Sequence, residues 1–76
     1  MTEEYQESAV IIREARQRQN LSQMEVAELA GINLGQYQRL EYGMRDLSAC
    51  SMKVGIAVCY VLHLDPFQLV LHKADQ

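Results

Sequence analysis

An all-α fold of five short helices is what the sequence predicts, and three observations carry that prediction. Apolar residues make up 49% of the chain while it holds only four Gly and one Pro, too few turn residues for a set of short strands. A helix-start signature recurs four times after Asn20: an apolar residue, a capping residue, two others, a polar residue able to reach back, and a second apolar residue. The length of 76 residues allows one core, so residues 1–76 are expected to form a single domain.

The first helix is expected to start between Glu3 and Ser8, taken as about residue 5, and to run to about 19. Glu residues lie near its positive end and Arg13, Arg16 and Arg18 toward its negative end, as the helix dipole favours. Asn20, which tolerates the left-handed conformation, closes it. The four starts that follow are Leu21-Ser22 with Glu25-Val26, Ile32-Asn33 with Gln36-Tyr37, Leu47-Ser48 with Ser51-Met52, and Leu64-Asp65 with Gln68-Leu69. In each the cap accepts a backbone N–H of the first turn and the apolar pair staples the entering chain. Pro66 suits the first position of the last helix. The expected spans are 22–30, 33–42, 48–62 and 65–72.

Residues 22–43 organise the rest. They hold two helix starts about ten residues apart with Gly31 at the corner, where a sharp turn needs positive φ. Two short helices crossing steeply, with the second presented outward, make a helix-turn-helix. The earlier helix is expected to bury Val26, Leu29 and Ala30, and the later one Tyr37 and Leu40. Gly35, Gln38 and Tyr42 then fall on the outward arc, flanked by Leu34 and Arg39. The fourth and fifth helices, residues 48–72, are apolar on too many sides for so small a core, which predicts a homodimer formed through them.

Charge and composition exclude several functions. The net charge of -3 lacks the basic excess usual for nucleic-acid binders, yet the acidic residues gather at the termini. Glu3, Glu4 and Glu7 make residues 1–12 acidic, whereas residues 13–64 carry a net +1. No apolar run approaches the roughly 20 residues that span a bilayer, and the start MTEEYQES is unlike a secretory leader, so a cytoplasmic protein without membrane attachment is expected. Cys50 and Cys59, placed in one helix and roughly 13 Å apart along it, are expected reduced and buried. Cys59 and His63 have a spacing compatible with metal ligation, but core packing accounts for Cys59, and no metal or other cofactor is expected. No catalytic constellation or phosphate loop is discernible, so neither an enzyme nor a small-molecule effector site is expected.

At LSQMEVAELAGI and RLEYGMRDLS the sequence resembles the XRE family of lambda-repressor and Cro-type helix-turn-helix domains, over about Ile12 to Val70. Its elements are L-S-Q at Leu21 to Gln23, A-x-x-A-G-I at Ala27 to Ile32, and R-L-E-x-G at Arg39 to Gly43. The resemblance implies a five-helix fold that binds double-stranded DNA. It places Gln23 and Arg45 at phosphate contacts, Leu34, Gly35, Gln38 and Arg39 on the outward recognition face, and Gln36 at its edge. It also implies a structural ion pair between Arg16 and Glu41. Leu34 and Gly35 stand where relatives often carry polar residues, Tyr37 where they carry an aliphatic one, and Tyr42 where Asn is frequent. The function expected is a sequence-specific transcriptional regulator of bacterial or phage repressor kind, with its third helix in the major groove. The alternative is a helix-turn-helix scaffold turned into a protein-interaction module, an antirepressor or adaptor.

Overall fold

A computed structural model describes residues 2–67 and residue 69, and among these its regular structure is entirely helical. The order is α1 (Thr2–Arg18), α2 (Gln23–Ala30), α3 (Leu34–Glu41), a 3-10 turn (Leu47–Ala49) and α4 (Met52–Leu62). Pro66, Phe67 and Leu69 are helical too; the rest of the fifth helix expected at 65–72 lies outside the described residues. Its start is visible, because the Phe67 N–H donates 2.9 Å to Asp65 Oδ1.

Local chemistry sets most of these boundaries. α1 begins at Thr2, earlier than the expected residue 5, since no Gly or Pro in that stretch interrupts a helix. It closes at Asn20, whose φ is 58°. Ser22 and Asn33 open α2 and α3 through reciprocal capping boxes with Glu25 and Gln36. Gly31, at φ 75°, ends α2 in the left-handed conformation and donates its N–H to the Ala27 and Glu28 carbonyls.

Two expectations need correction here. The helix expected from residue 48 starts at Met52, capped by Ser51, whose Oγ accepts the Val54 N–H at 3.2 Å. Ser48 instead turns its hydroxyl to the Asp46 carboxylate inside the 3-10 turn. Ser51 caps α4 although Val54 stands where the cap pattern places a polar residue, while Ser48, which fits that pattern, has its hydroxyl engaged by Asp46. Cys50 consequently lies outside α4 and is half-buried, while Cys59 is buried; both thiols are free. The second correction concerns Leu29, which is 65% exposed. Val26, Ala27 and Ala30 define the inward arc of α2, and at 100° per residue Leu29 lies roughly 110° from the centre of that arc.

The core joins all four helices. Ile12 and Ala15 of α1, Val26 and Ala27 of α2, Tyr37 and Leu40 of α3, and Val58, Cys59 and Leu62 of α4 pack together with Leu47 and Leu69. Each fully buried large side chain of this set contributes about 1.5–3 kcal/mol from burial. α2 packs against both α3 and α4, and α1 backs α3. α3 is thus held from behind by two helices.

Candidate nucleic-acid interface

The inward side of α3 is anchored by one buried carboxylate. Glu41 is 1% exposed and accepts four hydrogen bonds: Arg16 Nε at 2.6 Å, Arg16 Nη2 at 3.1 Å, Tyr37 OH at 2.5 Å and Gln23 Nε2 at 2.8 Å. Arg16 also donates from Nη1 to the Leu21 carbonyl at 2.9 Å. One guanidinium therefore ties α1 to the entry of α2 and to the end of α3, with the bidentate geometry that suits Arg and carboxylate.

Electrostatics at this cluster keep Glu41 ionised. Burial, the largest single influence, pushes its carboxyl up; the hydrogen bonds from Arg16, Tyr37 and Gln23 together outweigh it and hold the group below the ordinary carboxylate value. The hydrogen bond to Glu41 raises the Arg16 guanidinium further. Burial first, and then the Glu41 carboxylate, push the Tyr37 phenol well above its usual value, so it stays a donor.

The outward side of α3 presents Gly35, Gln36 and Arg39 exposed, with Leu34 and Gln38 half-buried at its margins. Gln36 spends its Oε1 on the Asn33 N–H at 3.1 Å, which turns its amide N–H groups away from the cap. Arg39 and Arg45 line one groove with Gln36, Leu40, Ser51 and Val54, of about 240 Å³, between α3 and the start of α4. Arg45 also donates 3.3 Å to the Ala49 carbonyl, which steadies the loop after α3. Gln23, half-buried at the first turn of α2, sits beside α3 and binds Glu41, Tyr42 OH (3.4 Å) and Gln38. The structure thus gathers Gln23, Gln36, Gln38, Arg39 and Arg45 around α3, with Gly35 open beside them.

Sequence reasoning missed two members of this arrangement. Tyr37 looked like a bulky stand-in for an aliphatic residue, yet its hydroxyl serves Glu41 one turn further on. Its only sequence signal is the i, i+4 spacing of a Tyr and a Glu on the same helical face. The contact between Gln23 and Gln38, across 15 residues, had none.

A steeply cornered pair of capped helices, with the second anchored behind and open in front, defines a helix-turn-helix domain. The family model described as Helix-turn-helix matches residues 12–49, half of the chain, from the middle of α1 through α3 and the 3-10 turn. The chain belongs to that family, of the XRE and lambda-repressor type, and is a DNA-binding helix-turn-helix regulator domain with DNA as its partner. Neither the curated proteins nor the solved structures gave a match. Among the described residues no helix is long and apolar enough to cross a membrane, and no group of three or more His, Cys, Asp or Glu is placed to hold a metal ion.

Proposed function

We propose that this domain is a sequence-specific transcriptional regulator of the bacterial or phage repressor kind, which inserts α3 into the major groove and acts as a homodimer. The observation that carries the reading is the division of α3 lengthwise: Tyr37, Leu40 and Glu41 are locked inside, and Gly35, Gln36 and Arg39 face out. Arg39 is suited to a bidentate contact with guanine, and Leu34 to a thymine methyl. Arg45 and the outward N–H groups of Gln36 are suited to phosphate oxygens, as is the Gln23 N–H now held by the longer bond to Tyr42.

Dimerisation rests on α4. Met52, Ile56 and Tyr60 recur every four residues and are 79%, 52% and 81% exposed, a continuous apolar stripe, and Phe67 beyond the helix is 68% exposed. Two copies joined through such a face would set their α3 helices in successive major grooves about 34 Å apart. Few cations face the groove, so binding should show a shallow dependence on salt.

The test is selection from random-sequence duplex pools at low and physiological salt, with wild type and Arg39→Ala. An enriched near-palindrome weakened by the substitution supports the reading. No enrichment, with the dimer intact, moves it to the protein-interaction module. That second reading is favoured by one observation: Tyr42 and Met44, 58% and 70% exposed, stand apolar directly after α3.

A further inference from the structure

Nothing among the described residues requires Gly55 to be glycine. Its N–H joins the ladder of α4, donating to the Ser51 carbonyl at 2.9 Å, and the positive φ values among the glycines belong to Gly31 and Gly43. A Cβ built on Gly55 would meet only the Leu47 carbonyl oxygen, at 3.9 Å, an ordinary contact. Alanine therefore fits here and would favour the helix, since Gly is the poorest helix residue after Pro. What glycine leaves open is outside the fold: Gly55 lies half-buried in a groove of about 390 Å³, which Leu47, Cys50, Met52, Ile56 and Pro66 also line.

The groove borders a ridge on the same helix. Met52, Ile56 and Tyr60, spaced every four residues and largely exposed, form the ridge, and the adjacent row of Ser51, Gly55 and Cys59 is lowest at Gly55, which has no side chain. Ridges of this kind pack into the grooves of a neighbouring helix, and a groove floored by Gly lets that helix come close. Because ridge and groove lie side by side, a two-fold axis sets each copy's ridge in the other's groove. The face is thus complementary to itself, as an isologous contact requires.

Charge and area agree with a second copy as the occupant. No residue lining the groove carries a charge, so two chains of net charge -3 meet there without like-charge contact. Met52, Ile56 and Tyr60 at their observed exposures present on the order of 500 Å². The groove walls bring the face toward the roughly 800 Å² that each partner buries in a standard interface.

We propose that the groove at Gly55 receives Ile56 of a second copy of this chain while its own Ile56 enters the groove of that copy, the two α4 helices crossing at about −50°, the angle of two interdigitated i±4 rows. This deepens the homodimer reading above and rests on it. Gly55 is then kept for the assembly, at the expense of the helix that carries it.

The experiment is sedimentation equilibrium of wild type, Gly55→Ala, Gly55→Leu and Leu29→Glu, paired with thermal melts at concentrations low enough for monomer. Gly55→Ala is expected to act with opposite signs: the dilute protein melts higher than wild type, because the helix gains, while the dimer weakens by about tenfold or more, because the added methyl stands where the partner helix passes. Gly55→Leu fills the groove and should leave only monomer. Leu29→Glu changes an exposed residue of the separate groove between α2 and the end of α4, and should leave the dimer as it is. In a Cys50→Ser background, where Cys59 is buried, Ile56→Cys should be joined to its mate by a short bis-maleimide, since the proposed crossing sets the two Ile56 side chains beside one axis.

A wild type that stays monomeric at millimolar concentration overturns the homodimer reading and this inference with it, and leaves the groove to a different protein. A wild-type dimer that Gly55→Ala and Gly55→Leu leave at full strength overturns the inference alone. So does a dimer lost in Leu29→Glu but kept in Gly55→Ala, which moves the contact to the other groove. Should Gly55→Leu fail to fold, the alanine variant and the Ile56→Cys cross-link still decide, and a dimer that yields no cross-link refutes the proposed crossing.

Discussion

Tyr37 and Glu41 face each other across one turn of α3, the phenol donating 2.5 Å to a carboxylate oxygen that also receives Arg16 Nε. The tyrosine is 0% exposed and the glutamate 1%, so neither has water as a substitute partner. Tyr37→Phe keeps the ring packing and withdraws one donor from a buried anion. It is expected to cost about 1–3 kcal/mol, which lowers the Tm of a domain this size by at least several degrees. Thermal melts followed by circular dichroism check it, and a melting curve superimposable on wild type would refute the role given to the hydroxyl.

Removing Arg16 should be worse. Arg16→Met leaves the Glu41 charge buried beside Tyr37 and Gln23 alone, and the loss expected on breaking a buried pair from one side is about 3–5 kcal/mol. Glu41→Gln removes the anion itself but strands the guanidinium, which is 15% exposed and retains the Leu21 carbonyl, so its cost should be smaller. Urea titrations of both variants test the order; equal stability of wild type and Arg16→Met would rule out a structural pair.

The pH profile of stability should be a plateau with two identifiable shoulders. Glu41 has its folded value depressed, so it contributes stability above the ordinary carboxylate range, and that contribution disappears as pH falls through the lower folded value. Burial, with a smaller push from Asp65, raises the Cys59 thiol from about 9 to about 11. Its contribution is complete below pH 9 and is lost as pH rises toward 11. Glu41→Gln should flatten the acid shoulder and Cys59→Ala should diminish the alkaline one. Denaturant midpoints measured from pH 3 to 10.5 would show whether either shoulder ignores its substitution.

Self-association should depend on the α4 stripe. Ile56→Glu and Tyr60→Glu change exposed positions, so the fold should tolerate them within about 0.5 kcal/mol while the dimer dissociates. Sedimentation equilibrium reads the mass directly. A wild-type monomer at high concentration would eliminate this face as the subunit contact.

The parts of this domain that were legible in its sequence are those governed by neighbours. Ser22 with Glu25 and Asn33 with Gln36 announce their helices because both halves of each capping box lie within four residues. Asn20 and Gly31 were recognisable as corners for a similar reason, since positive φ restricts the residue itself. The expected start at Ser48 rests on the local pattern Leu47-Ser48 with Ser51-Met52, and the partner that engages the Ser48 hydroxyl, Asp46, lies before that pattern begins. Leu29 was misjudged because the width of a buried arc depends on which helices press against it. The network of Gln23, Gln38 and Glu41 spans 15 and 18 residues of chain, and no local periodicity encodes contacts of that range.

The bond from Gln38 to Gln23 bears on how the outward surface of α3 can change in such a domain. Arg39 projects from the fold without entering the buried cluster, so an evolving lineage can substitute it at little expense to folding. Gln38 is chained to Gln23, and through it to the carboxylate that joins α1 to α3. A change at Gln38 disturbs the joint of the scaffold as well, so that part of α3 changes by paired substitutions with Gln23, whereas Arg39 can change one residue at a time.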